Sequence, residues 1–168
     1  MRSSLLTNEE FQKLKNETDF NKKEIKKCYK KFCALDKEKK GYISITDLMS
    51  IPEIENNPLR FLIAQYMSDK NKNENEAISF ESFIKVIDIF KSNKIDKRYE
   101  FIYGLFDFDK DGKISHEDML INFKLLLGNS LNEEQIIEIV DKTIKEYSKD
   151  KKYIFYDDFV KLLNEANK

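Results

Sequence analysis

Asp107, Asp109 and Asp111 alternate along the chain, and Gly112 follows at once. Asp118 stands six residues further on, with Lys113 and Ser115 between. Carboxylates at alternate positions converge on one point when the chain wraps around it. Convergent oxygens are what a hard divalent cation takes as ligands. Gly112 permits the sharp bend that a Cβ would hinder. Lys113, at the seventh position of this loop, needs to supply only its backbone carbonyl, and Ser115, at the ninth, can act through a water. Position 12 of such loops is normally a bidentate Glu. Asp118 is one methylene shorter, which favours six-coordination, weaker Ca²⁺ binding and greater Mg²⁺ tolerance. The expected site is therefore Asp107, Asp109, Asp111, Lys113, Ser115 and Asp118, holding one Ca²⁺ with Mg²⁺ as the alternative occupant. The competing reading is a solvated acidic turn. The flanking helical patterns weigh against it.

The pattern is the calcium loop of an EF-hand, and internal repeats supply its setting. Ile43-Ser44-Ile45-Thr46-Asp47-Leu48, Ile78-Ser79-Phe80-Glu81-Ser82-Phe83, Ile114-Ser115-His116-Glu117-Asp118-Met119 and Ile154-Phe155-Tyr156-Asp157-Asp158-Phe159 share one form. Each opens on an extended step and turns into helical periodicity. Each follows a polar stretch and, before that, an amphipathic helix. The fold class is all-α: four EF-hand repeats in two paired lobes, with short two-stranded ladders joining Ile43 to Ile78 and Ile114 to Ile154. Helices are expected over 8–17, 22–35, 57–67, 80–91, 97–106, 116–127, 132–147 and 156–166, with a short one at 46–50 that stops before Pro52. Thr7 with Glu10, and Asn21 with Glu24, fit capping boxes. Gly128 suits a helix stop. The domain expectation is an N-terminal helical segment (1–20), an N-lobe of two degenerate hands (21–90), a linker (91–96) and a C-lobe of one intact and one degenerate hand (97–168).

The other three loops fail by ligand count. The first keeps Asp36, Glu38, Asp47 and the bend at Gly41, but carries Lys40 where an anion is needed. The second, 68–82, has lost its carboxylate alternation and carries three extra residues. The fourth, 148–158, has Lys151 and Lys152 in its middle and is one residue short. All three are expected to persist as structure without tight metal binding.

Composition bounds the rest. The 168 residues carry 30 basic and 31 acidic groups, so a strongly basic nucleic-acid binder is excluded on global charge. Four Gly and two Pro argue against a sandwich or barrel with many tight turns. No apolar run approaches the ~18–20 residues that span a bilayer. Position 2 is Arg, which is incompatible with N-myristoylation at this start. Membrane contact is therefore expected only indirectly, and the location is expected to be cytoplasmic. Cys28 and Cys33 read as reduced helix cysteines. Lys22, Lys23, Lys26, Lys27, Lys30 and Lys31 read as a solvated face. Catalysis is not expected: the one histidine, His116, points to solvent from the metal loop. No nucleophile–base pairing and no phosphate-cradling Gly-rich loop is present.

Two further stretches carry a resemblance more specific than any EF-hand pattern. Met49-Ser50-Ile51-Pro52-Glu53-Ile54-Glu55-Asn56-Asn57-Pro58-Leu59 is similar to the inter-repeat segment of calcineurin B and the calcineurin B homologous proteins. Leu127-Gly128-Asn129-Ser130-Leu131, with Ile139-Val140-Asp141-Lys142-Thr143-Ile144, resembles the same family. The resemblance covers nearly the whole chain. It implies a non-catalytic calcium-binding regulatory subunit that grips an amphipathic helix of a larger partner, such as a calcineurin A-like phosphatase or an ion-exchanger tail. Candidate groove residues are Phe83, Ile87, Phe90, Met119, Phe123, Leu126, Leu127, Phe159, Leu162 and Leu163; periodicity alone does not separate them from core. The sequence departs from these relatives in lacking Gly at position 2 and in offering one working loop where they keep two to four. Constitutive binding is the expectation, with a calcium-switched sensor or a myosin-light-chain-like subunit as alternatives.

Overall fold

A computed structural model describes residues 6–68 and 77–166. Ten α-helices lie among them: α1 Asn8–Glu17, α2 Lys22–Leu35, α3 Ile45–Met49, α4 Pro52–Glu55, α5 Arg60–Met67, α6 Phe80–Lys91, α7 Ile95–Phe106, α8 His116–Leu127, α9 Glu133–Tyr147 and α10 Tyr156–Ala166. The chain is all-α, as its repeats imply.

Local chemistry sets the helix starts. Thr7 Oγ1 accepts the Glu10 N–H at 3.2 Å while Glu10 Oε2 accepts the Thr7 N–H at 3.0 Å. Asn21 and Glu24 repeat the exchange at α2, and Ser44 with Asp47 does so at α3. These reciprocal bonds satisfy N–H groups that the first helical turn leaves without partners. The start of α5 differs from expectation. Pro58 disfavours helical backbone at the residue before it, and Asn57 Oδ1 instead accepts the Leu59 N–H at 2.8 Å. The helix therefore begins at Arg60.

The chain forms two compact units, Met1–Lys94 and Ile95–Lys168. In the first, Ile25, Phe32, Ile43, Leu48, Ile63, Ile78 and Ile84 are buried. Phe32 meets Phe80 and Phe83 with ring centroids 5.3 and 5.7 Å apart. The turn before α2 docks on α6, where Asp88 Oδ1 accepts the Asp19 N–H at 3.0 Å. In the second unit, Tyr103, Ile114, Met119, Ile136, Val140, Ile144, Ile154 and Phe159 form one core cluster.

The expected ladders shrink to single antiparallel bridges. Ile43 and Ile78 exchange N–H···O bonds of 3.0 and 2.9 Å, and Ile114 and Ile154 do the same. The cap residue of the next helix follows at Ser44, Ser79 and Ser115, so no second ladder pair forms before the backbone turns. The expected insertion in the loop 68–82 falls largely on 69–76, outside the described residues, as does the residue at position 2.

Candidate metal centre

The loop between α7 and α8 is shaped from inside by its first residue. Asp107 is buried; its Oδ1 accepts the Asp111 N–H at 3.1 Å and its Oδ2 the Gly112 N–H at 3.0 Å. Asp109 Oδ1 also accepts the Asp111 N–H, at 3.2 Å. Lys110 and Gly112 take the left-handed backbone that closes the loop, with φ of 61° and 88°. One carboxylate oxygen from each of Asp107, Asp109 and Asp111 lies within 4.8 Å of the others. Among the described residues no other three acidic, histidine or cysteine side chains are gathered this way.

Burial pushes the Asp107 carboxyl upward, with Asp111 and Asp118 adding repulsion against the two N–H bonds that favour its charged form. A cation would relieve this field. Asp111 is held below the usual carboxylate range by the Lys113 ammonium, 2.9 Å from its Oδ2. Three hard oxygen donors crowded at this distance fit Ca²⁺ or Mg²⁺.

The other three expected residues are placed differently. Asp118 is buried outside that trio. Its Oδ2 accepts the Ser115 N–H and hydroxyl at 2.8 and 2.6 Å, and its Oδ1 accepts the Phe108 N–H at 3.2 Å. Ser115 caps α8 through the Asp118 N–H, at 3.1 Å. The Lys113 side chain reaches across to Tyr153, with its nitrogen 4.5 Å from the ring centre.

Two loops copy part of this backbone with an incomplete set of donors. Asp36 Oδ1 and Oδ2 accept the N–H groups of Lys40 and Gly41 at 2.8 and 2.7 Å, matching Asp107 atom for atom. Lys39 and Lys151 repeat the positive φ of Lys110, at 55° and 57°. In the first loop, however, the Lys40 ammonium sits 2.6 Å from Glu38. In the fourth, Ser148 takes the place of the first carboxylate, its Oγ accepting the Lys152 N–H at 3.2 Å. Asp158 there is buried, with Lys149 and Lys161 ammonium groups 3.5 and 3.6 Å from its Oδ1.

Sequence reasoning missed two residues behind the loop. Asn122 is fully buried, and its amide donates to the carbonyls of Phe106 and Asp118 at 3.0 and 2.8 Å. Tyr103 donates to the Gly112 carbonyl at 2.9 Å. The available signals were a polar residue on an apolar helix face and a phenol four residues before the first carboxylate of the loop. His116 is exposed and faces Asp141 Oδ1 at 2.9 Å. Of the groove candidates, Phe83, Met119 and Phe159 are buried core. Ile87, Phe90, Phe123, Leu126, Leu127, Leu162 and Leu163 reach the surface in part or in full.

Paired helix–loop–helix units closed on bridged isoleucines, with an acidic twelve-residue loop, define an EF-hand calcium-binding protein. No family model matches the chain. It is 35% identical over 164 residues to the calcineurin B of Naegleria gruberi, covering 96% of this chain and 91% of that protein. It is 35% identical to the type 1 calcineurin B of Dictyostelium discoideum (95% and 88% covered) and 29% identical to the calcineurin B of Schizosaccharomyces pombe (94% and 90% covered). The chain belongs to the calcineurin B family. As a member it is a non-catalytic, calcium-binding regulatory subunit. No helix among the described residues is long and apolar enough to cross a membrane.

Proposed function

We propose that this chain constitutively holds an amphipathic helix of a larger partner, in the first place a calcineurin A-like phosphatase catalytic subunit, in the cytoplasm. One structural Ca²⁺ or Mg²⁺ sits in the loop 107–118, with Asp107, Asp109 and Asp111 as carboxylate ligands, Asp118 as the short twelfth residue, Lys113 through its carbonyl and Ser115 through a water. The lobes are 21–90 and 97–168, preceded by the helical segment 1–20 and joined by 91–96.

The observation that carries this reading is a likeness to calcineurin B proteins along nearly the whole chain, combined with one acidic trio that the first and fourth loops, among the described residues, lack. The family supports a helix-gripping subunit. The trio supports one ion. Lysines at Lys40, Lys149 and Lys161 support loops neutralised from within. Calorimetric titration tests it: one site for Ca²⁺ in the wild type, none after Asp107→Ala. Two or more tight sites would overturn the single-ion reading.

A further inference from the structure

Tyr103 lies in the last turn of α7, four residues before Asp107. Its buried hydroxyl reaches two backbone carbonyls: Gly112 O in the acidic loop at 2.9 Å, and Ile154 O in the loop 148–158 at 3.2 Å. The Ile154 carbonyl also accepts the Ile114 N–H at 3.0 Å. One phenol proton thus faces both loops of the pair, beside the bridge that joins them. The ring is fixed from α10, edge-on to Tyr156 and Phe159 with centroids 5.4 Å from each. Phenylalanine would fill the same space, so packing does not require the oxygen. Burying a hydroxyl is unfavourable unless it finds acceptors, and its acceptors here are these two loops.

We propose that Tyr103 is a positioning residue for the metal centre: its hydroxyl clamps the acidic loop to the loop 148–158 and holds it bent before an ion arrives. The proposal rests on the reading of 107–118 as the metal loop. The loop 148–158 gathers no acidic trio, so it draws no closure from an ion of its own. A loop held in its binding shape loses less conformational freedom when the ion enters. Removing one neutral hydrogen bond, worth about 1 kcal/mol, corresponds to roughly a five-fold weaker affinity.

The test compares the full-length wild type with Tyr103→Phe and Tyr99→Phe. The Tyr99 hydroxyl donates to Asn164 Oδ1 at 2.9 Å, which makes it a control for phenol loss in the same unit. CaCl₂ is titrated calorimetrically at a temperature where circular dichroism shows all three folded. Amide hydrogen exchange at Ile114 and Ile154 is followed in EDTA. Tyr103→Phe is expected to bind calcium roughly five-fold more weakly and to exchange both amides faster. Tyr99→Phe is expected to lower the thermal midpoint and change neither. A Tyr103→Phe protein with wild-type affinity overturns the proposal even if its midpoint has fallen, and so does unchanged exchange. If the wild type takes up no calcium, the reading of the metal loop fails, while the exchange measurement still decides the clamp.

Discussion

Both oxygens of Asp118 already accept hydrogen bonds within the chain. This carboxylate completes the cap of α8 with Ser115, and the metal site proposed above asks the same group for an oxygen at position 12. The pattern Ser-x-x-Asp is a capping box and positions 9–12 of a metal loop at once, so the sequence could place all six expected ligands without revealing which oxygens were already engaged. The alternating Asp107, Asp109 and Asp111 were legible because spacing alone makes them converge. Asp118→Glu adds the missing methylene. It should raise Ca²⁺ affinity several-fold and lower Mg²⁺ affinity, since a bidentate ligand favours more than six oxygens and Mg²⁺ demands six. Competition calorimetry with the two ions checks this. Unchanged affinities for both would show that position 12 is purely a helix cap.

Helices were the legible elements, because caps are local: a side chain two or three residues away satisfies a known N–H. The four residues of α4 gave too little periodicity to find. The single-pair bridges could not be told from short strands, since Ile-Ser begins either. The helix stop expected at Gly128 is where α8 ends. The Gly128 φ is −58°, not left-handed, and a Cβ there would press on the Lys124 carbonyl. Ile154 shows what the bridges do. It is fully buried in the second core, and Ile154→Ala should cost about 2–5 kcal/mol, read as a lowered thermal midpoint of the unit Ile95–Lys168. A second element-level contact is ionic. Glu81 on α6 bonds Lys13 of α1 and Lys85, each at 2.7 Å, and these lysines hold its carboxyl below the usual range. A lowered carboxylate stabilises the fold above its unfolded pKa, and that stability is lost as pH falls through the folded value. Glu81→Gln should therefore flatten the decline of the midpoint as pH falls below the ordinary glutamate range.

For the whole chain the question is what calcium can move. A ligand shifts a conformational balance only by its differential affinity for the two states. Asp36 already bonds both N–H groups of its loop, with Lys40 beside Glu38, and Lys149 and Lys161 flank Asp158. The chain's own groups shape those loops and place lysines beside their carboxylates. An ion in 107–118 has one loop in one unit to act upon. Meanwhile Phe61 and Phe90 in the first unit, and Leu125, Ile139 and Phe155 in the second, stand exposed. Large apolar side chains in the open are the expected ground for a partner helix when they cluster. A peptide spanning the calcineurin B-binding helix of a calcineurin catalytic chain should bind in EDTA within about three-fold of its affinity in calcium, a difference under 1 kcal/mol. Phe90→Asp, at a groove candidate that stands exposed, should weaken it in both buffers, because it places a charge where a docked apolar face must dry. Fluorescence anisotropy of the labelled peptide measures all four conditions. A peptide released by chelation would make this a calcium-switched sensor, and would mean that the ion in a single loop commands more of the molecule than its contacts suggest.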